Sequence, residues 1–162
     1  MTVVLSARIV ARVAVQRTRL STTTRRVYSV KGQDQFKVAP DISIPEAAVS
    51  EVAAALQQDA LARFIDCRSE EELGSGVVSN SVNLPYPHNG DRELVDPEEW
   101  LEDVQYEEFE KTTRIFVGCR KGSRSAIACE VLINAGYENV TNMSGGMLAW
   151  SRAMLPMAPY KG

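Results

Sequence analysis

The segment from Arg114 to Gly136 constrains the fold more than any other stretch of this chain. Arg114-Ile115-Phe116-Val117-Gly118 is a short, almost continuous apolar run, the pattern of a strand buried on both faces. Cys119 to Gly122 carries turn chemistry, and Ser123 to Ala135 reads as a helix closed by Gly136. A buried strand that passes through a tight loop into a helix is half of a parallel crossover unit, so the chain is expected to build a sheet covered by helices.

The flanking sequence repeats that alternation. Pro45 and Glu46, after Ser43, lead a helix expected from Ala47 to Leu56. Leu61 to Cys67 reads as a strand running into an acidic helical turn, Ser69 to Leu73, and Val82-Asn83-Leu84 as a shorter strand. Residues 85–96 hold Pro85, Pro87 and Asn89-Gly90 and read as turns, after which Asp96-Pro97-Glu98-Glu99 opens a helix. Asn139 to Asn142 makes another strand, and a last helix carrying Trp150 follows Gly145-Gly146. The expected fold is α/β, a parallel sheet with helices on both faces.

Composition narrows the class. Of 162 residues, 44% are hydrophobic and 24% charged, with a net charge of -3, as in ordinary globular domains. The longest stretch without a charged side chain, residues 73–90, is broken by Gly, Ser, Asn and Pro. It lacks the roughly 18 consecutive apolar residues of a membrane span, so no stable membrane insertion is expected. Cys67, Cys119, Cys129 and the single His88 lack metal-ligand spacing, and no metal or other cofactor is expected.

The charge is unevenly spread. Residues 1–28 hold Arg8, Arg12, Arg17, Arg19, Arg25 and Arg26 and no acid, whereas the rest of the chain carries all 21 acidic residues against 12 basic ones. An acidic body is unsuited to a phosphate backbone, which excludes nucleic acid as a partner. The Arg-, Ser- and Thr-rich start has the composition of an organellar transit peptide. Leu5, Ile9 and Val13 share one helical face there beside Arg8, Arg12 and Arg19. Arg26-Val27-Tyr28-Ser29 resembles a mitochondrial processing site, so a mitochondrial address is expected, with the plastid as the alternative. The resulting domain plan is an address over 1–28, a linker over 29–41, a catalytic domain over 42–155 and a tail over 156–162.

The chemistry lies between Val117 and Ser125. A loop at the carboxyl end of a buried strand is where open α/β folds bind ligands. Cys119 is the first residue of that loop, and the amides from Arg120 to Ser125 can converge on its sulfur. The helix starting near Ser123 directs its positive end there, and Arg120, Lys121 and Arg124 add cations. All of these favour thiolate over thiol, and the thiol is expected to fall from about 8.5 into the range of roughly 3.5 to 7.5 of activated cysteines. A nucleophilic sulfur among anion-binding groups suits an anionic substrate. Transfer of sulfur from thiosulfate, with sulfite leaving, requires no general base.

Val117-Gly118-Cys119-Arg120-Lys121-Gly122-Ser123-Arg124-Ser125 resembles the active-site loop of single-domain rhodaneses, the thiosulfate sulfurtransferase homology domain. Four further segments resemble that family in order: Phe64 to Arg68 with Glu71-Glu72-Leu73, Gly76 to Pro85, Ala135-Gly136-Tyr137, and Gly145 to Trp150. Within them Val77 stands where the family usually has His and Asn80 where it has Gly. The resemblance implies a rhodanese-like sheet and a Cys119 that cycles between thiolate and persulfide. It implies thiosulfate or another sulfane-sulfur donor and, as acceptor, cyanide, a small thiol or a protein thiol; a monomer is expected. Arg120 and Lys121 would hold the departing sulfite, and the loop through Gly122, Ser123, Arg124 and Ser125 would bind the substrate, with the Ser123 hydroxyl and the amides on the persulfide.

Two other classes compete. Dual-specificity phosphatases resemble this fold, and a cysteine phosphatase or arsenate reductase would use the same nucleophile. Their loop, however, places five residues between Cys and Arg, against the four between Cys119 and Arg124. The other class is a persulfide-carrying binding module. Asp66 and Arg68 are expected to support the loop floor, while Cys67 and Cys129 read as inert packing, a disulfide to Cys119 being less favoured. His88 reads as a loop residue and Trp150 as core.

Overall fold

The computed structural model describes residues 13–15, 27–30, 37–38, 42–86 and 97–161. The chain forms two compact units, residues 1–42 and Ser43–Gly162. In the first, β1 (Val13–Val15), β2 (Val27–Val30) and β3 (Lys37–Val38) pair antiparallel in that order. Val13, expected on a helical face, therefore lies in a strand. Valine at 13, 15, 27, 30 and 38 explains it, since branched side chains favour extended backbone. The other residues of that expected helical face lie outside the described residues. The segment expected as a linker contributes Ser29, Val30 and β3 to these pairings.

In the second unit, β4 (Glu46–Ala47), β5 (Arg63–Asp66), β6 (Val82–Asn83), β7 (Arg114–Gly118) and β8 (Asn139–Met143) form an all-parallel sheet ordered β4-β8-β7-β5-β6. Its helices are α1 (Val49–Gln58), α2 (Pro97–Tyr106), α3 (Ser123–Asn134) and α4 (Gly146–Arg152). A 3-10 helix, Glu70–Ser75, follows β5. The expected helix from Ala47 starts two residues late, because Glu46 and Ala47 pair with Asn142 and Met143 of β8. The chain turns only at Ala48, whose amide donates to the Glu51 carboxylate at 2.7 Å. Residues 87–96, including His88, lie outside the described residues.

Alternation along the central strands sorts the core into two layers. Ile65, Cys67, Ile115, Val117, Cys119 and Val140 pack with Trp100 and Val104 of α2 and Ala128, Cys129 and Leu132 of α3. Phe64, Phe116 and Met143 pack on the other side with Val52, Ala53 and Ala55 of α1 and Met147 and Trp150 of α4. Trp150 is thus core, with its ring centroid 6.4 Å from that of Phe64. Both faces of the sheet are covered by helices, as the apolar strands require.

The strand order reverses between β5 and β7. From β5 the chain moves outward to β6, and from β7 it moves the opposite way to β8 and back beside β4. The loops at the carboxyl ends of β5 and β7 therefore diverge and leave a crevice, the place where doubly wound sheets bind ligands. Asp66 and Cys119 sit at those two strand ends. Asn80 adopts a φ of 61°, a left-handed conformation that Asn tolerates better than most residues.

The last residues are tied to the second unit. Val77 and Ala158 exchange both backbone hydrogen bonds, at 2.9 and 2.8 Å. The Trp150 indole donates to the Pro156 carbonyl at 3.1 Å, and the Tyr160 hydroxyl to Glu70 at 2.9 Å. Deleting residues 156–162 should lower stability by about 1–3 kcal/mol, because it strips a bridge and strands a buried indole N–H. Urea unfolding checks this, and an unchanged midpoint would show the tail to be passive.

Candidate active site

Cys119 follows β7 and is 1% exposed. A sulfur anion so enclosed must be solvated by the protein. Gly122, in the left-handed region at φ 99°, caps α3 and turns its amide onto Cys119 Sγ at 3.1 Å. The Ser125 hydroxyl lies 3.4 Å from the same sulfur. Burial pushes the Cys119 thiol up, but the Ser125 hydroxyl and the amides of Ser125, Lys121 and Gly122 outweigh it and hold the thiol below its ordinary 9.0.

The direction agrees with expectation, but its source differs. Hydrogen bonds to the sulfur lead the lowering, and Arg124, though engaged elsewhere, interacts with Cys119 through its charge. Arg124 is buried and donates to Glu72 Oε1 at 2.7 Å and to the Cys67 carbonyl at 3.4 Å. Arg120 and Lys121 are exposed. Ser123 is exposed as well, so the hydroxyl at the sulfur belongs to Ser125 rather than Ser123.

Ser125 has one hydrogen and three acceptors within reach: Cys119 Sγ, the Gly122 carbonyl at 3.1 Å and Asn142 Oδ1 at 2.7 Å. Asn142 Nδ2 donates to Glu46 at 3.2 Å, which orients the amide with its oxygen toward Ser125. Asn142 and Glu46 enter the site from β8 and β4, far away in sequence, and no local signal marks them.

The loop is gripped from behind by α4. The amides of Met147 and Leu148 donate to the carbonyls of Cys119 and Arg120 at 2.8 and 3.1 Å. A Cβ at Gly146 would collide with the Cys119 carbonyl, so glycine there is a packing requirement. Beside Arg120 opens a pocket of about 310 Å³, whose walls include Arg68, Met147, Leu148, Ser151 and Met157.

The floor is a buried charge cluster. Arg68 Nε and Nη2 donate to the Asp66 carboxylate at 2.7 to 3.1 Å. Its remaining donors meet the carbonyls of Glu72 and Gly76 and the Ser75 hydroxyl. Arg68 is 2% and Asp66 0% exposed, so this pair is interior. It folds the 3-10 helix so that Glu72 reaches Arg124 and anchors the first turn of α3. Glu72 is the link that sequence reasoning missed.

Residues 48–153 match the family described as rhodanese-like domain. Thiosulfate sulfurtransferase 16, chloroplastic, of Arabidopsis thaliana is 34% identical over 94 residues, covering 58% of this chain and 78% of the relative. Protein HIGH ARSENIC CONTENT 1, mitochondrial, of the same plant is 35% identical over 88 residues, covering 54% of this chain and 52% of the relative. Only about half the length of that second relative is therefore spanned. The polysulfide-sulfur transferase homodimer of Wolinella succinogenes superposes with a TM-score of 0.59 at 20% identity, covering 73% of this chain and 80% of that one. The chain belongs to the rhodanese-like domain family, and its named relatives include sulfurtransferases.

Two outcomes test the site. Alkylation of Cys119 by iodoacetamide follows the thiolate, so its rate should fall only as the pH drops through a midpoint below 9.0. Ser125→Ala should move that midpoint up, and an unmoved midpoint would remove the hydroxyl from the account. Arg68→Ala should cost about 3–5 kcal/mol in urea unfolding, since it leaves the Asp66 carboxylate buried and unpaired.

Proposed function

We propose that this protein is a thiosulfate sulfurtransferase that carries a sulfane sulfur on Cys119. The observation that carries the reading is the set of hydrogen-bond donors around Cys119 Sγ, which suits an anion on sulfur. The thiolate attacks the outer sulfur of thiosulfate or a persulfide donor. One S–S bond forms, one breaks, and sulfite or a thiolate leaves with the electron pair. A thiol or cyanide then removes the outer sulfur and returns Cys119 to thiolate. Neither step with thiosulfate and cyanide moves a proton, so the reading needs no general base beside Cys119. Arg120 and Lys121, exposed and next to Cys119 in sequence, attract the anionic donor and steady the departing sulfite. The carrier is Cys119 itself, and no separate cofactor enters.

Phosphate or arsenate chemistry is less well supported. It would ask Arg124 to hold the tetrahedral oxygens, and that guanidinium is already engaged by Glu72 and the Cys67 carbonyl. In our reading residues 1–28 direct the chain to the mitochondrion, with the plastid as the alternative. The relatives' names include both organelles.

Intact mass after incubation with thiosulfate should show one added sulfur, absent in Cys119→Ser and released as thiocyanate by cyanide. A chain that gains no sulfur, or a Cys119→Ser variant that still turns over, would overturn the mechanism. Arg120→Ala should raise KM for thiosulfate about tenfold, the worth of one charge-assisted contact. A fluorescent protein fused after residue 40 should enter mitochondria; a plastid signal would select the alternative address, and a cytosolic one would refute it.

A further inference from the structure

The two central strands place a second thiol beside the first. Asp66 pairs in register with Gly118, and the Cys67 amide donates to the Gly118 carbonyl at 2.7 Å, so the ladder continues to the level of Cys67 and Cys119. Both residues belong to the same core layer, the one packed under α2 and α3. Neighbouring strands run about 4.7–4.9 Å apart. A disulfide accepts Cα atoms about 4.4–6.8 Å apart.

We propose that Cys67 is a resolving thiol, which closes a disulfide with Cys119 when a peroxide oxidises the nucleophile. The Cys119 thiolate attacks the peroxide, an S–O bond forms, the O–O bond breaks, and hydroxide leaves and is protonated to water. Cys67 then attacks the sulfenic sulfur. The S–S bond forms, the S–O bond breaks, and the oxygen departs as a second water with the Cys67 proton. Two thiols lose two electrons to one peroxide, and a dithiol reductant reverses the change.

The surroundings separate the roles of the three cysteines. Among the described residues, donors reach the sulfur of Cys119 and of neither other cysteine, so Cys119 is the one that oxidants meet as thiolate. Cys67 is as buried as Cys119, but burial together with Cys119, Cys129 and Asp66 holds it as a protonated thiol, the form that peroxides attack poorly. It is poised for an intramolecular partner alone. Cys129, on α3, is pushed up to about 12, chiefly by burial. Without a resolving thiol, a sulfenic acid at Cys119 would climb to sulfinic acid, which thiols do not reverse. The inference rests on a reactive Cys119 and not on the identity of the sulfur donor.

Treatment of the full-length reduced chain with one equivalent of hydrogen peroxide should remove two hydrogens from its mass. Peptide mapping of this wild-type product should join Cys67 to Cys119. Dithiothreitol should restore the mass and the iodoacetamide-reactive Cys119. Given three equivalents of peroxide, Cys67→Ser should instead gain two or three oxygens, with about tenfold less Cys119 recovered after reduction than in wild type treated alike, while Cys129→Ser should behave as wild type. A wild-type product with oxygen on Cys119 and a free Cys67 would overturn the proposal, as would a bridge between Cys119 and Cys129. The mapping needs no variant, so the outcome stands even if Cys67→Ser fails to fold.

Discussion

A sulfur anion in an almost closed site needs a substitute for water, and the hydrogen bonds onto Cys119 are that substitute. They exist only because the loop backbone is held in one shape. Gly122 must take a left-handed conformation to aim its amide, and α4 must hold the loop carbonyls from the other side. The second condition requires Gly146, the first residue of α4, where a Cβ would strike the Cys119 carbonyl. The site is therefore a packing arrangement first and a charge arrangement second.

The topology explains why such a loop can sit here. Reversal of strand order at β5 and β7 opens the crevice, and the buried Asp66–Arg68 pair fills its floor. An interior ion pair of this kind adds little net stability but is costly to break, so it serves geometry more than energy. Through Glu72 it reaches Arg124 and sets the first turn of α3. Arg124, a cation that looks like substrate-binding equipment, is engaged by Glu72 instead.

The local parts of this design were legible in the sequence. The apolar run Ile115 to Val117, the loop from Cys119 and the helix closed by Gly136 are dictated by neighbouring residues, and β7 and α3 fall where expected. Relations across the sheet were not legible. Glu46 to Asn142, Glu72 to Arg124 and Val77 to Ala158 join residues distant in the chain, and their types alone name no partner. For the same reason the activating cations were overvalued, since sequence displays the charge of Arg124 but not the carboxylate that occupies it. Ser123 and Ser125 are also indistinguishable by composition. Only the rotation of α3 decides that the second faces the sulfur and the first faces solvent.

The central claim is that hydrogen-bond donors, more than exposed cations, hold the Cys119 thiol below its ordinary 9.0. Ultraviolet titration of the thiolate in the Arg120→Gln/Lys121→Gln double variant, at low and high salt, tests this most directly. The account predicts a midpoint that stays near the wild-type value and changes little with salt, because hydrogen bonds at contact distance are not screened. A midpoint that rises to the ordinary 9.0 of a free thiol, or that climbs steeply with salt in the wild type, would contradict it.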